Sequence, residues 1–290
     1  MKINFICVGT QKAGTTTIHD ILKNHQDIFL PEKKEAHFFD IENRYKKGLN
    51  WWKKEFFSSY GGEKSVGVFT PEYLYYDEVP KRILSNLDLK TKIIIILRNP
   101  IDRAYSHYLM SKRRGYDKLS FDEGIEIENI RINKNEFSRN NFSYISRGMY
   151  FNQLNRYYSL FDSDNILVLN FEKDIVINLD QTINTIQKFI GVNVMNLKLN
   201  IKSNRASDAR YEWINIVLNS SWRIKKISKT FIKNKACRLF LRKTLIKFNR
   251  VESTKKLDFS QKKYFLEKYF LNDIKNIEEK YKLDLKHWYN

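Results

Sequence analysis

The chain has 290 residues, 42% hydrophobic and 29% charged, with a formal net charge of +19 and two cysteines. That composition excludes a disordered chain and a disulfide scaffold, and the length supports one α/β domain, residues 1–290, with a sizeable core. No apolar run reaches the length of a membrane span and an apolar run starts almost at Met1, so no signal peptide is expected and a soluble, cytoplasmic protein is. The charge points to a polyanion: nucleic acid, an anionic membrane surface or an acidic substrate.

Phe5 to Gly9 reads as a strand. Thr10 to Gly14 follows as a loop containing Gln11, Lys12 and Ala13, and then Thr15, Thr16 and Thr17 open a helix with Ile18, Ile21 and Leu22 on one face. A glycine-bracketed loop at a helix N-terminus gathers backbone N–H groups and positive partial charge, so it suits a phosphate or a similar anion. Gly9 and Gly14 have the spacing of a nucleotide-binding P-loop, but Thr15 stands where that motif needs lysine, and the lysine lies inside the loop at Lys12. A βα turn with two incidental glycines is the plainer alternative.

Glu32 to Asp40 comes next. If this segment is extended, alternation puts Glu35 and His37 on one face, a carboxylate and an imidazole suited to proton transfer. A solvated charged loop anchored by Phe38 and Phe39 accounts for the same composition. Trp51, Trp52, Phe56 and Phe57 form a helical stripe. Val66 to Phe69 reads as a second strand ending in Thr70-Pro71-Glu72-Tyr73, and Val79 to Leu87 as an amphipathic helix. Lys92 to Leu97, with Ile93 to Ile96 unbroken, has the pattern of a parallel strand buried on both faces. It ends at Arg98, where the strands of such a sheet present ligand sites, and the helix after Pro100 carries Ser106 two turns on. An ion-pairing Arg98 and a neutral surface Ser106 are the plainer alternatives.

Phe121 to Ile132 reads as a helix, Asn133 to Asn141 as a loop, Tyr144 to Phe161 as a helix, Ile166 to Leu169 as a strand and Glu172 to Ile190 as a helix stopped by Gly191. The alternation of strand and helix predicts an α/β fold: a P-loop-like parallel sheet flanked by helices. From Trp213 to Val251 there is no acidic residue, and eleven Lys or Arg stand from Arg223 to Arg250 among Trp222, Ile227, Phe231, Phe240, Leu245 and Phe248. This basic helical part, about 208–256, reads as a face packed on the domain; an anionic membrane, an acidic acceptor and nucleic acid stay open as its partners. Gln261 to Tyr281 is helical, and Trp288 anchors the tail.

Taken in order, these motifs resemble the PAPS-dependent sulfotransferases, whose donor is 3′-phosphoadenosine-5′-phosphosulfate. Gln11-Lys12-Ala13-Gly14-Thr15-Thr16-Thr17 is similar to the loop that binds the 5′-phosphosulfate there. Leu97-Arg98-Asn99-Pro100 through Ser106 is similar to the strand and helix that bind the 3′-phosphate. Lys34-Glu35-Ala36-His37-Phe38-Phe39-Asp40 looks like the segment of heparan-sulfate-type and bacterial carbohydrate sulfotransferases in which the glutamate is the catalytic base and the histidine assists. The stretches at 48–52, 70–73 and Arg147-Gly148-Met149-Tyr150, and the tail around Asp284 and Trp288, resemble those enzymes too. The resemblance implies a five-stranded parallel sheet, PAPS as co-substrate and no metal. It implies Glu35, Lys12 and His37 as catalytic groups, and Gln11 to Thr17, Arg98, Ser106, Tyr150 and Arg205 as donor contacts. The acceptor it implies is a saccharide or glycan hydroxyl or amine, with a lipid, or a peripheral contact with anionic membrane, kept open and no nucleic acid expected. Golgi heparan enzymes carry a membrane anchor and a disulfide; with two cysteines and no long apolar run, the chain looks closer to the bacterial branch. A Mg2+-dependent P-loop kinase and a non-enzymatic module for anionic surfaces are the rival readings.

Overall fold

The computed structural model describes residues 1–199, 207–209, 237, 244, 248, 250–252 and 256–289. They group into two compact units. The first takes Met1–Arg103, Arg147–Ser203 and Lys263–Asn290; the second takes Ala104–Ser146 and Asn204–Lys262.

The first unit is built on five parallel strands: β1 (Phe5–Gly9), β2 (Ile28–Phe29), β3 (Ser65–Phe69), β4 (Lys92–Leu97) and β5 (Ile166–Asn170). Their order is β2-β3-β1-β4-β5, and every neighbouring pair is parallel. β1 and β3 are buried at every residue and β4 at all but Lys92, which is why they read as unbroken apolar runs: both faces are covered. Gly67 is required by a close approach, because a Cβ there would lie 2.0 Å from the Phe5 ring in the register-matched neighbouring strand.

Helix α1 (Thr15–Leu22) packs Ile18, Ile21 and Leu22 into the same core cluster as Phe5, Cys7, Ile94 and Ile96. A later helix, Leu179–Phe189, adds Ile183 and Ile186 to that cluster. The order of the strands places a switch point at β1. The chain moves out from β1 to β2 and β3 on one side and returns on the other side as β4. The crevice outside the carboxyl ends of β1 and β4 is therefore where a ligand is expected, and it is bordered by the 10–14 loop and by Arg98.

The tail is anchored as its tryptophan predicted. Trp288 is buried, its indole N–H donates to Glu172 Oε2 at 3.0 Å, and its carbonyl accepts from Asn99 Nδ2 at 3.1 Å. Glu172 also accepts the Asn99 backbone N–H through Oε1. The expected helix over Glu172 to Ile190 is divided: a π-helical stretch, Phe171–Ile177, precedes Leu179–Phe189. Gly191 ends it at φ 77, as expected of a left-handed C-terminal residue. The helix expected over Tyr144 to Phe161 is a 3-10 turn, Ser146–Gly148, and then Tyr150–Tyr158. The buried Asp273 carboxylate, from a third helix (Leu271–Tyr281), accepts the N–H groups of Tyr150 and Phe151 at that helix's start.

In the second unit, the expected helix over Phe121 to Ile132 is broken at Ile127 into Phe121–Glu126 and Glu128–Ile132. The first of these opens with a capping box, Ser120 with Glu123. The break frees Glu128, which is buried and accepts the backbone N–H groups of Tyr144, Ile145 and Ser146 at 2.7–2.9 Å. The loop expected over Asn133 to Asn141 is instead largely a helix, Glu136–Phe142. Asn135 caps it, its Oδ1 accepting the Ser138 N–H at 2.8 Å, so polarity that suggested a loop belongs to a helix start. Residues Ser207–Ala209 and Arg250–Glu252 pair as an antiparallel two-stranded sheet. Apart from residues 237, 244, 248, 250 and 251, the basic 213–251 segment lies outside the described residues, as does Arg205.

Candidate functional site

β1 delivers the chain into the loop, where Thr10 N donates to Ile96 O at 2.9 Å. Lys12 (φ 75) and Gly14 (φ 79) both sit in the left-handed region, and two such residues in three make a tight reversal. Gly14 is the N-terminal cap residue of α1, and a Cβ on it would lie 3.0 Å from the Phe171 ring. Thr15, Thr16 and Thr17 form the first turn of α1; Thr17 N donates to Gly14 O at 2.9 Å, and a helix start leaves its first N–H groups without partners within the helix. The loop and helix start predicted for Gln11 to Thr17 are thus present, with Ala13 buried and Lys12 part-exposed.

Arg98 follows directly on β4. Its Nη1 donates to Lys12 O at 2.8 Å, its guanidinium lies 4.7 Å from the Phe171 ring centre, and its buried Nε has no hydrogen-bond partner. Tyr150 is fully buried behind it and donates its hydroxyl to Arg98 O at 2.9 Å. Tyr150 is therefore a support for Arg98 and not a wall of the cleft. Burial raises the Tyr150 hydroxyl well above the ordinary range, which keeps it a neutral donor. Ser106 lies on the helix Pro100–Arg113, within the second unit, and is half-buried.

The Lys33–Asp40 segment departs from expectation in its backbone. Glu35 has φ 65 and His37 φ 48, so the segment is not extended and alternation does not set its faces. Left-handed residues of this kind cost about 1–3 kcal/mol each and need surroundings that hold them. Glu35 N donates to Phe69 O at the end of β3, and the N–H groups of Phe38 and Phe39 both donate to the Tyr73 hydroxyl. Arg82 Nη1 donates to Phe39 O, and the Phe38 ring stacks on Trp52 at 4.7 Å and 2°. So pinned, the bends achieve what an extended strand was expected to do. Ligand atoms of Glu35, His37 and Glu72 lie within 4.8 Å of one another.

Three residues of this site escaped the sequence reading. Glu72 is buried in the turn after β3; its Oε1 accepts from Gln11 Nε2 at 2.9 Å, and its Oε2 is buried without a partner. A carboxylate just past a parallel strand was the available signal. Asp40 Oδ2 meets His37 Nδ1 at 2.7 Å, and a carboxylate three residues after a histidine was visible in the sequence. Lys34 Nζ donates to Thr16 Oγ1 at 3.2 Å and to Glu35 Oε1 at 2.8 Å.

The charges set one another. Burial pushes the Glu72 carboxyl up, and nearby Glu35 adds to this, against the pull of His37 and Arg147. For His37, burial opposes the charged form, but the Asp40 hydrogen bond and the negative charges of Glu72, Asp40 and Glu35 outweigh it, so its pKa is raised. Both shifts favour the protonated forms of His37 and Glu72, beside the loop. Of the nearby aromatics, Trp52, Tyr73 and Tyr76 are core; Trp51 and Tyr75 are part-exposed. Tyr75 lines a small crevice with Thr10, Gln11, Pro71, Leu74, Arg147 and Gln153, and the Arg147 guanidinium lies 4.4 Å from its ring centre.

The strand–loop–helix turn after β1, Arg98 at the neighbouring strand end and the Glu35–His37 pair all stand on one P-loop-like α/β sheet. The family model described as the sulfotransferase domain matches residues 2–269, and the chain belongs to the sulfotransferase family, whose members are PAPS-dependent transferases. It is 33% identical over 198 residues to mouse (Mus musculus) bifunctional heparan sulfate N-deacetylase/N-sulfotransferase 1, covering 64% of this chain and 22% of that protein. It is 26% identical over 190 residues to human (Homo sapiens) heparan sulfate glucosamine 3-O-sulfotransferase 5, covering 64% and 53%. It is 34% identical over 110 residues to the membrane-associated sulfotransferase kil1 of Dictyostelium discoideum, covering 37% and 23%. The chain thus spans from about a fifth to about half of the length of these relatives. In fold it is similar to a sulfotransferase from Alicyclobacillus acidocaldarius, with a TM-score of 0.71 and 24% identity over the full length of both chains.

Proposed function

We propose that this chain transfers a sulfuryl group from PAPS to a hydroxyl or amine of a saccharide acceptor, with Glu35 as the base. The observation that carries the reading is the placement of Glu35 and His37 within 4.8 Å of each other, with Glu35 tied through Lys34 to the first turn of α1. The donor fits the residues present: a helix start for the 5′-phosphosulfate, and a part-buried guanidinium, with an unpartnered Nε, for the 3′-phosphate.

The acceptor's O–H or N–H proton passes to the Glu35 carboxylate as the acceptor atom bonds to sulfur. The bond from sulfur to the bridging phosphate oxygen breaks, and that oxygen keeps the electron pair. Lys12 and the N–H groups at Gly14 to Thr16 stabilise charge on the sulfuryl and the leaving oxygen. His37, held by Asp40, shares the proton. Ser106 is proposed as a further contact to the 3′-phosphate, and Arg205 as a further contact to the donor. A sulfuryl group carries less negative charge than a phosphoryl group, so a lysine and backbone donors meet its demand without metal. The heparan sulfate relatives favour a glycan acceptor, with Tyr75 and Trp51 as its aromatic neighbours and a lipid acceptor as the alternative. The two cysteines favour the cytoplasm, and no helix among the described residues is long and apolar enough to cross a membrane.

The same Glu35, His37 and Glu72 have the spacing of a metal-ligand set, which favours a Mg2+-dependent kinase as the second reading. Calorimetry separates the two. Titration with 3′-phosphoadenosine-5′-phosphate (PAP) in chelator is expected to show binding that Arg98→Ala abolishes. Binding of ATP only, and only with Mg2+, would transfer the assignment to the kinase.

A further inference from the structure

Lys34 is a charged group of the site that the roles above leave unassigned. Its ammonium bridges Thr16 Oγ1 (3.2 Å) in the first turn of α1 and Glu35 Oε1 (2.8 Å) in the base segment. The Lys34 side chain is 16% exposed and that of Glu35 40%, so the ammonium sits in the wall while the carboxylate opens outward. Without donor, one oxygen of the base is therefore engaged in a short ion pair.

We propose that Lys34 couples donor occupancy to the base. When the sulfuryl group arrives at the start of α1, the ammonium turns from Glu35 to the sulfuryl oxygens, and the carboxylate is released to the acceptor. This rests on the sulfuryl-transfer reading above. Two features of the structure carry it. The hydrogen bond to Thr16 places the ammonium at the turn where backbone N–H groups and the helix dipole draw an anion. A lysine ammonium is also a compact charge with three donors on a flexible stem, able to exchange one acceptor for another without moving the backbone. In the transfer itself Lys34 keeps its proton: the acceptor's proton goes to Glu35, the acceptor–sulfur bond forms, and the phosphate oxygen leaves with the electron pair. The ammonium supplies charge to the sulfuryl oxygens while negative charge builds on them. The coupling also sets an order, since an acceptor bound first meets a base that is still paired.

The test compares PAPS with PAP, which differ by the sulfuryl group alone, and needs no acceptor. In Lys34→Met, calorimetry is expected to show PAP affinity within about twofold of wild type and PAPS affinity lower by about tenfold, the scale of one charge-assisted hydrogen bond. Lys34→Arg is expected to restore most of the PAPS preference. If Lys34 serves only to hold the bent backbone at Glu35, PAP and PAPS weaken together in Lys34→Met and Lys34→Arg does not restore the difference; that result overturns the proposal. So does an unchanged PAPS affinity. Should Lys34→Met not fold, Lys34→Gln is read against the same two outcomes. Failure of the wild-type protein to bind PAP at all would instead remove the underlying donor assignment, and the two failures are thereby distinguished.

Discussion

The loop after β1 and the 33–40 segment, proposed as donor site and base segment, both follow strands of one sheet, yet they are built by opposite rules. The loop after β1 uses regular devices: a left-handed glycine and a helix start. The segment after β2 places Glu35 and His37 by holding ordinary residues in left-handed backbone, pinned by Tyr73, Arg82, Trp52 and the end of β3. A site that binds a constant anion can rely on local chain geometry. A site that moves a proton needs side chains set by long-range contacts, and its precision depends on the packing behind it.

Breaking the two regions separately should therefore give different signatures. The largest effect is expected for Glu35→Gln: turnover down ~10²–10⁴-fold with PAP affinity kept, because only the base is lost. Steady-state kinetics set beside calorimetry read it, and unchanged turnover would take Glu35 out of the role. Next comes Lys12→Ala, which touches the loop alone. It is expected to weaken PAP by about tenfold or more, since it removes a charged donor.

Stability sharpens the comparison from behind the site. Burial raises the Asp273 carboxyl to about 6, from an ordinary 3.8, although the N–H groups of Phe151 and Tyr150 pull the other way. A carboxylate whose folded pKa lies above its unfolded value favours the folded state while protonated, so this group's contribution falls as pH rises from about 4 to 6. Its size is on the order of 2–3 kcal/mol. In denaturant titrations Asp273→Asn should lose stability less steeply than wild type over that window; parallel pH profiles would contradict the assignment. The smallest effect is expected at Asp40→Asn. It removes a hydrogen bond and a charge that favour the His37 imidazolium, so the His37 titration followed by NMR should move to lower pH. No movement would mean that Glu72 and Glu35 hold the imidazolium without Asp40.

What the sequence made legible follows the same division. β4 was readable because a strand covered on both faces has to be apolar throughout, and α1 because a stripe at Ile18, Ile21 and Leu22 has one meaning on a helix. The anion loop was readable because its constraint is local. The bends at Glu35 and His37 were not, because non-glycine residues with positive φ are imposed by the contacts of Phe69, Tyr73 and Arg82, up to about forty-five residues away in the chain. The hydrogen bonds of Glu72 and Tyr150 were not legible for a related reason. Each acts through a partner in another segment, Gln11 for the one and Arg98 for the other, and no spacing rule connects them. The helix Glu136–Phe142 was missed although its signal is local: Asn135 followed by Glu136 is a helix start.

The central claim is most directly tested by transfer itself. The protein is incubated with PAPS carrying radioactive sulfur, a chelator, and a panel of desulfated glycosaminoglycan oligosaccharides and glycolipids, beside the Glu35→Gln variant. The account predicts label in a saccharide product with the wild-type protein, in the absence of metal, and almost none with the variant. Label confined to the donor, together with Mg2+-dependent transfer of phosphorus from γ-labelled ATP to any of the same acceptors, would contradict it.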